Sequence, residues 1–67
     1  MQFEMFVDRL HQLNVIDRNA LEIYSDLARQ VPDKQLTEIF KALAQDEARH
    51  VRLEKEIFAL IGKTQKP

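Results

Sequence analysis

The residues best suited to chemistry in this sequence are a glutamate and a histidine three positions apart, Glu47 and His50. Side chains at positions i and i+3 of an α-helix lie one above the other on the same face. A carboxylate oxygen and an imidazole nitrogen placed in this way can bind one metal ion together. The spacing alone is common in charged helices, so the prediction of a metal site depends on what lies beside these two residues.

Two long helices are the elements that must position this pair. The only internal helix breaker is Pro32, which disfavours helical backbone at Val31 and is followed by Asp33, a good N-cap residue. Gly62 is the expected stop of the second helix. We predict a single domain over residues 1–67, with a helix at about 3–30, a turn at about 31–33, a helix at about 34–61 and a frayed tail at 62–67. Equal helices joined by a short turn form an antiparallel hairpin.

Asp17 is the third candidate ligand. If the hairpin turns near Pro32, residues equidistant from the turn face each other, so Asp17 lies level with residues 47–49. On a helical wheel of about 100° per residue, four residues with polar, ionisable side chains interrupt the apolar faces: Asp17, Glu47, His50 and Glu54. Such groups are rarely buried without a partner. The polar residues expected on the solvated face of the first helix are His11, Arg18, Glu22, Asp26 and Arg29.

Each helix carries an apolar stripe that is too wide for one hairpin partner to cover. The stripes comprise Phe3, Phe6, Leu10, Leu13, Ala20, Leu21, Tyr24, Leu27, Ala28 and Val31 in the first helix, and Leu36, Ile39, Phe40, Leu43, Ile57, Phe58 and Ile61 in the second. At 67 residues and without cysteine, the chain is short for one self-sufficient core and has no disulfides. We therefore predict an all-α fold in which two hairpins form a homodimeric four-helix bundle, with assembly into higher oligomers left open.

Dimerisation would double the candidate ligand set at the centre of the bundle. Two copies each of Asp17, Glu47 and His50 supply four carboxylates and two imidazoles, close to the ligand set of di-iron carboxylate bundles. The four negative charges balance two divalent cations. Because hard oxygen ligands with imidazole favour iron or manganese, we expect two iron ions per dimer, with manganese or zinc as alternatives.

Residues 39–50, Ile-Phe-Lys-Ala-Leu-Ala-Gln-Asp-Glu-Ala-Arg-His, resemble the second-helix signature of the rubrerythrin and ferritin-like superfamily. Asp17 and Tyr24 are similar to its first-helix pattern, in which a ligand carboxylate is followed seven residues later by tyrosine. The resemblance implies a ferritin-like bundle with a non-haem di-iron site and ferroxidase, peroxide-reducing or iron-handling activity. It also implies a hydrogen bond from Tyr24 to a ligand carboxylate, while simple packing is the other interpretation. As a half-bundle, the chain is similar to encapsulated ferritin-like proteins, whose iron site forms between subunits.

Two positions depart from the pattern of that family. Asp17 stands where the family has Glu, and its side chain is one methylene shorter. Glu54 occupies an inward position where the family generally has an apolar residue. Glu54 has three interpretations: a carboxylate that supports the ligands without binding the metal, a half-exposed residue at the dimer seam, or a partner of Asn14 or an arginine. Since the chain has no cysteine, it lacks the family's cysteine-held iron domain, and any electron donor would be a separate partner.

A metal-free role is the competing hypothesis. In it the hairpin dimer is an interaction or scaffold module, and Glu47 or Asp17 forms a buried ion pair with His50. The 10 Lys+Arg and 11 Asp+Glu give a net charge of −1, which argues against nucleic-acid binding. No apolar run approaches the roughly 18 to 20 residues of a membrane span. We therefore expect no membrane association and a cytoplasmic location, either free or inside a protein compartment.

Overall fold

The computed structural model describes residues 2–64, which form two long α-helices joined by a short connection. Helix α1 spans Phe3–Gln30 and helix α2 spans Lys34–Thr64, and the described residues contain no strand. The helices pack side by side in an elongated body of 53 × 17 × 14 Å. The all-helical hairpin is therefore confirmed, whereas its pairing with a second hairpin stays a prediction.

The connection between the helices has the local chemistry that the sequence predicts. Val31 is extended, with φ −71° and ψ 131°, as expected before a proline, and its N–H donates to the carbonyl of Leu27 at 3.0 Å. Asp33 caps α2, because its Oδ1 accepts a hydrogen bond from the N–H of Leu36 at 2.9 Å. The carbonyl of Asp33 accepts a second one from the N–H of Thr37 at 2.9 Å. The break near residue 32 and the cap are both confirmed.

Helix α2 is longer than predicted, because it continues through Gly62 to Thr64 instead of ending at residue 61. Gly62 does not have a positive φ, so it does not form the left-handed cap typical of a C-terminal glycine. Glycine costs only about 1 kcal/mol inside a helix, which adjoining hydrogen bonds offset. The hydroxyl of Thr64 donates to the carbonyl of Ile61 at 3.0 Å. The prediction of a frayed tail is therefore wrong for residues 62–64. Residues 65–67, the rest of that tail, lie outside the described residues.

Side chains meet across the hairpin in a different register from the one that the turn predicts. If residues equidistant from Pro32 faced each other, Asn14 would pair with residue 50, yet it hydrogen bonds with Glu54. The physical reason is that helical side chains lean toward the N-terminus of their own helix. This direction points away from the turn in α1 and toward the turn in α2. A side chain of α1 therefore meets one whose backbone lies about one helical turn farther along α2.

Three residues that the sequence assigns to the solvated face have partners in the structure. His11 is exposed, but its ring stacks on Phe58 of α2 with the ring centroids 4.5 Å apart. This contact follows from the same offset in register, which a helical wheel does not include. Asp26 is partly buried and pairs with Arg29 one turn farther along α1. The assignment of His11 to a face away from α2 is therefore wrong.

The apolar stripes of the two helices only partly meet. No hydrophobic residue is fully buried in the described part of the chain. The stripe residues that are half-buried are Leu10, Ala20, Leu21, Tyr24, Ala28, Val31, Phe40, Leu43, Phe58 and Ile61. Those that stay exposed are Phe3, Phe6, Leu13, Leu27, Leu36, Ile39 and Ile57. A single hairpin thus buries the inner part of each stripe and leaves the outer part to solvent.

The exposed surface of the hairpin is large for its mass. It amounts to 5527 Å², whereas a folded monomer of 7.9 kDa exposes about 4400 Å². The radius of gyration is 15.5 Å, against about 11 Å for a compact domain of this length. Neither α1 nor α2, as far as each is described, has a stretch long and apolar enough to cross a membrane.

Candidate metal centre

Glu47 and His50 lie on consecutive turns of α2, as their spacing predicts. Nδ1 of His50 is 3.8 Å from Oε1 of Glu47. The side chain of Glu47 is 18% exposed and that of His50 is 45% exposed, so the imidazole is the more accessible of the two. The helix geometry alone therefore brings a carboxylate and an imidazole to one place on the surface.

Asp17 reaches the same place from α1. One carboxylate oxygen of Asp17, one of Glu47 and one ring nitrogen of His50 all lie within 4.8 Å of one another. Ligand atoms about 2.1 Å from a shared ion lie up to about 4.2 Å apart, so small side-chain rotations would let all three bind one ion. The structure brings the three predicted ligands together, and metal binding by them stays a prediction.

The second carboxylate oxygen of Glu47 has no partner. Its Oε2 is buried, and no group within residues 2–64 forms a hydrogen bond with it. A buried polar atom left in this state costs about 1 to 3 kcal/mol, and more when it is charged. Unpartnered groups of this kind are rare in native structures and call for an explanation such as an ion or a water molecule. The atom lies within the candidate metal site, where a cation would satisfy it.

Glu54 is the only buried residue in the described chain, with 5% of its surface exposed. Nδ2 of Asn14 donates a hydrogen bond to its Oε1 at 2.9 Å. Of the interpretations offered by the sequence, pairing with Asn14 is confirmed. A half-exposed position at a dimer seam is wrong, because the offset register places Asn14 over the carboxylate within a single hairpin.

Burial raises the pKa of Glu54 above its ordinary value of 4.5. A hydrogen bond shared with the carboxylate of Asp17 raises this pKa further, and the negative charge of Asp17 acts in the same direction. The hydrogen bond from Asn14 and the charge of His50 lower it, but by less. Glu54 therefore lies beside one of the three predicted ligands, and its surroundings disfavour its charged form relative to that of an exposed glutamate.

An open depression with a volume of about 450 Å³ surrounds these side chains. Its lining residues are Leu10, Leu13, Asp17, Glu47, His50, Leu53, Glu54 and Ile57. We call the exposed apolar part of this lining, Leu13, Leu53 and Ile57, the open face. The carboxylates of Glu47 and Glu54 are more buried than the apolar side chains of the open face. This reverses the usual order, in which apolar groups are inside and charges outside.

Tyr24 is half-buried on the side of α1 that contains Asp17. Within the described chain it makes no side-chain hydrogen bond with Asp17, Glu47 or His50. It also does not line the depression. The hydrogen bond that the resemblance implies for its hydroxyl therefore stays a prediction.

The donor set fits a first-row metal ion. Carboxylate oxygens combined with imidazole suit iron, manganese and zinc. A cation would satisfy the buried oxygen of Glu47 and offset the mutual repulsion of Asp17, Glu47 and Glu54. With one ligand atom from each of the three residues, a hairpin offers fewer than the four to six that these ions take. The second carboxylate oxygens, water or a second hairpin would supply the rest.

No family model, curated protein or solved structure matches this chain. The resemblance to the rubrerythrin and ferritin-like superfamily is therefore carried only by residues 39–50 together with Asp17 and Tyr24. The functional argument depends on the geometry of Asp17, Glu47, His50 and their surroundings.

Proposed function

We propose that this protein is a ferritin-like, non-haem di-iron protein, in which two hairpins form a four-helix bundle and hold two iron ions between them. Each hairpin contributes Asp17, Glu47 and His50. The observation that carries the proposal is the buried, unpartnered Oε2 of Glu47 beside a carboxylate and an imidazole supplied by two different helices. This arrangement is costly for a metal-free protein and favourable for one that binds a cation.

The partner that we propose is a second copy of the same chain. The hairpin exposes about 1100 Å² more than a folded monomer of its mass, and a standard interface buries about 800 Å² per partner. The open face, Leu13, Leu53 and Ile57, surrounds the candidate ligands on the uncovered side. A two-fold contact through this surface would bring the two ligand sets toward each other, because such a contact uses the same patch on both copies.

The roles of the residues follow from their chemistry. Asp17 and Glu47 would hold the ions through oxygen, and His50 through nitrogen. Their four carboxylates in the dimer balance the charge of two divalent ions. The open face would exclude water from the site once the second hairpin covers it. Bound iron would supply Fe(II)/Fe(III) redox chemistry, and Fe(II) oxidation or peroxide reduction is the activity we propose.

The proposal extends to the identity of the metal and to other partners. Manganese and zinc are the alternative ions, because the same donor atoms bind them. We also propose a cytoplasmic location. The resemblance adds a separate electron donor, assembly beyond the dimer and the interior of a protein compartment as an alternative location.

A metal-free scaffold is the second candidate function. The observation that favours it is the 3.8 Å approach of His50 to Glu47, which would form an ion pair with a protonated imidazole. If Glu47 served only this pair, Glu47→Ala would leave a stranded partner and destabilise the protein without metal. If Glu47 belongs to a metal site, the same substitution removes an unpartnered buried charge and leaves that stability unchanged or higher.

Anaerobic titration with Fe(II) tests the proposed function. We expect saturation at two iron ions per dimer, together with a dimeric mass by sedimentation. Replacing Glu47 and His50 together by alanine should abolish binding, while Glu56→Ala, at an exposed acidic position on the same helix, should leave it intact. Iron binding by the double variant equal to that of the wild type would rule the proposal out.

A further inference from the structure

The most buried residue in the described chain is an acid, Glu54, and the three-ligand set does not account for it. Nδ2 of Asn14 donates a hydrogen bond to its Oε1 at 2.9 Å, and this bond joins α1 to α2. A carboxyl group offers an accepting oxygen whether or not it carries a proton, so the bond does not depend on the charge of Glu54. Buried polar pairs of this kind are retained in some proteins because they select one arrangement of the chain.

We propose that the hydrogen bond between Asn14 and Glu54 fixes α1 against α2 and thereby holds Asp17 within reach of the other two candidate ligands. This inference rests on the proposed function, since it assumes that the three candidate ligands bind metal. It assigns Asn14 and Glu54 as positioning residues, which act through Asp17 and do not contact the ion.

The pair lies next to the candidate ligands on both helices. Asn14 precedes Asp17 by three residues, which is about one turn of α1. Glu54 follows His50 by four residues and Glu47 by seven, which is about one turn and two turns of α2. Because the helices run in opposite directions, both steps lead from the pair toward the connection. The ligands therefore lie between two points at which α1 and α2 are held together.

The connection by itself is too far from Asp17 to set the position of its carboxylate. Asp17 and the end of α1 at Gln30 are about 20 Å apart along the helix. Apolar contacts between the helices are non-directional, and within the described chain they include no fully buried hydrophobic residue. A hydrogen bond is directional, and a single buried polar residue is enough to specify register in paired helices.

The geometry of the site leaves little tolerance for a change of register. The three ligand atoms lie within 4.8 Å of one another, and a shared ion needs them within about 4.2 Å. Side-chain rotation can close this difference. A slip of α1 by one residue would instead move Asp17 by about 1.5 Å along the helix and about 100° around it. A contact that prevents this slip therefore keeps Asp17 in the site.

The experiment measures Co(II) affinity by visible absorption, with and without Asp17→Ala. Replacing both Asn14 and Glu54 by leucine removes the bond without leaving a buried polar group unpaired, so this leucine variant should fold as stably as the wild type. We expect it to bind Co(II) about 10- to 100-fold more weakly, the range for residues that orient metal ligands. Asp17→Ala should cost at least as much in the wild type, but less than about threefold in the leucine variant.

Two controls separate the hydrogen bond from charge and from composition. Glu54→Gln removes the charge but keeps an oxygen that accepts from Asn14, so this variant should retain the full effect of Asp17→Ala. Asn19→Leu combined with Glu56→Leu replaces the same two residue types at exposed positions of the same two helices. It should bind Co(II) like the wild type.

A leucine variant that keeps the full effect of Asp17→Ala overturns the inference, and so does the loss of that effect in Glu54→Gln. A leucine variant without helical circular dichroism also overturns it, because the bond would then be required for folding and not for ligand position. In each case the proposed function stands if the wild type binds Co(II) and replacement of Glu47 and His50 by alanine abolishes binding. A wild type that does not bind Co(II), or that binds it equally well after Asp17→Ala, contradicts the proposed function itself.

Discussion

Replacing the buried acid by its neutral amide, Glu54→Gln, should stabilise the metal-free protein at neutral pH. In the ionised form of Glu54, one oxygen accepts a hydrogen bond from Asn14 while the carboxylate also faces Asp17, which carries the same charge. A glutamine would keep the bond from Asn14 through its oxygen and donate to Asp17 through its amide nitrogen. The substitution therefore removes a buried charge and supplies a donor where none exists.

The expected gain is about 1 to 3 kcal/mol, the cost of one buried group without a hydrogen-bond partner. For a protein of this size, each 1 kcal/mol raises Tm by roughly 4 to 8 °C. The gain should depend on pH. The pKa of Glu54 is 4.5 in the unfolded chain and higher in the folded state. At any pH between these two values, the folded protein therefore binds more protons than the unfolded chain. The stability that Glu54 contributes is thus full below pH 4.5 and is lost as the pH rises through the raised pKa.

Thermal and urea denaturation, followed by circular dichroism on protein freed of metal, measure this effect. The protein concentration has to be fixed, since the proposed dimerisation would make Tm depend on it. We expect the difference between Glu54→Gln and the wild type to be near zero at pH 4 and to reach its full value above the raised pKa. Glu56→Gln, at an exposed position, is the matched control. A difference that is independent of pH, or a glutamine variant that is less stable at pH 7, would refute the reasoning.

Three other substitutions test separate parts of the structure. Leu53→Asp places a charge on the open face. Sedimentation equilibrium should show that it raises the dissociation constant of the proposed dimer by about a hundredfold or more. Unchanged dimerisation would argue against pairing through this surface. Asp33→Ala removes the N-cap of α2 and should lower the free energy of unfolding in urea by about 1 kcal/mol. Asp33→Asn should lower it much less, because asparagine also caps helices. Equal losses would contradict the capping role. Gly62→Ala introduces a methyl group into open space within a helix. It should stabilise the protein by about 0.5 to 1 kcal/mol and raise Tm. A lower Tm would contradict a helical conformation at residue 62.

The candidate ligands could be predicted because their placement depends mainly on one helix at a time. The i, i+3 spacing fixes Glu47 and His50 relative to each other without knowledge of the partner helix. The level of Asp17 was predicted by counting residues from the turn, and the structure brings its carboxylate close to Glu47 and His50. This agrees with its predicted level beside residues 47–49.

Glu54 and His11 illustrate what such counting misses. The helical wheel placed Glu54 inward but gave no measure of its burial, which depends on the side chains of α1 that cover it. The wheel placed His11 on the outer side, yet its ring contacts Phe58. Including the lean of side chains toward the N-terminus of each helix would have predicted this contact. It would also have selected Asn14 from the partners that the sequence offers for Glu54.

The sequence by itself determined the two helices, the break between them and the types of the candidate ligands, because proline, the N-cap and the 3.6-residue period act within a few residues. Only the tertiary structure decided which side chains of α1 and α2 meet. It thereby decided that Glu54 is the most buried residue and that Oε2 of Glu47 lacks a partner. The physical reason is that burial and pairing depend on where side-chain tips from two helices lie in space, and this is set by the direction in which each chain runs and by the lean of its side chains.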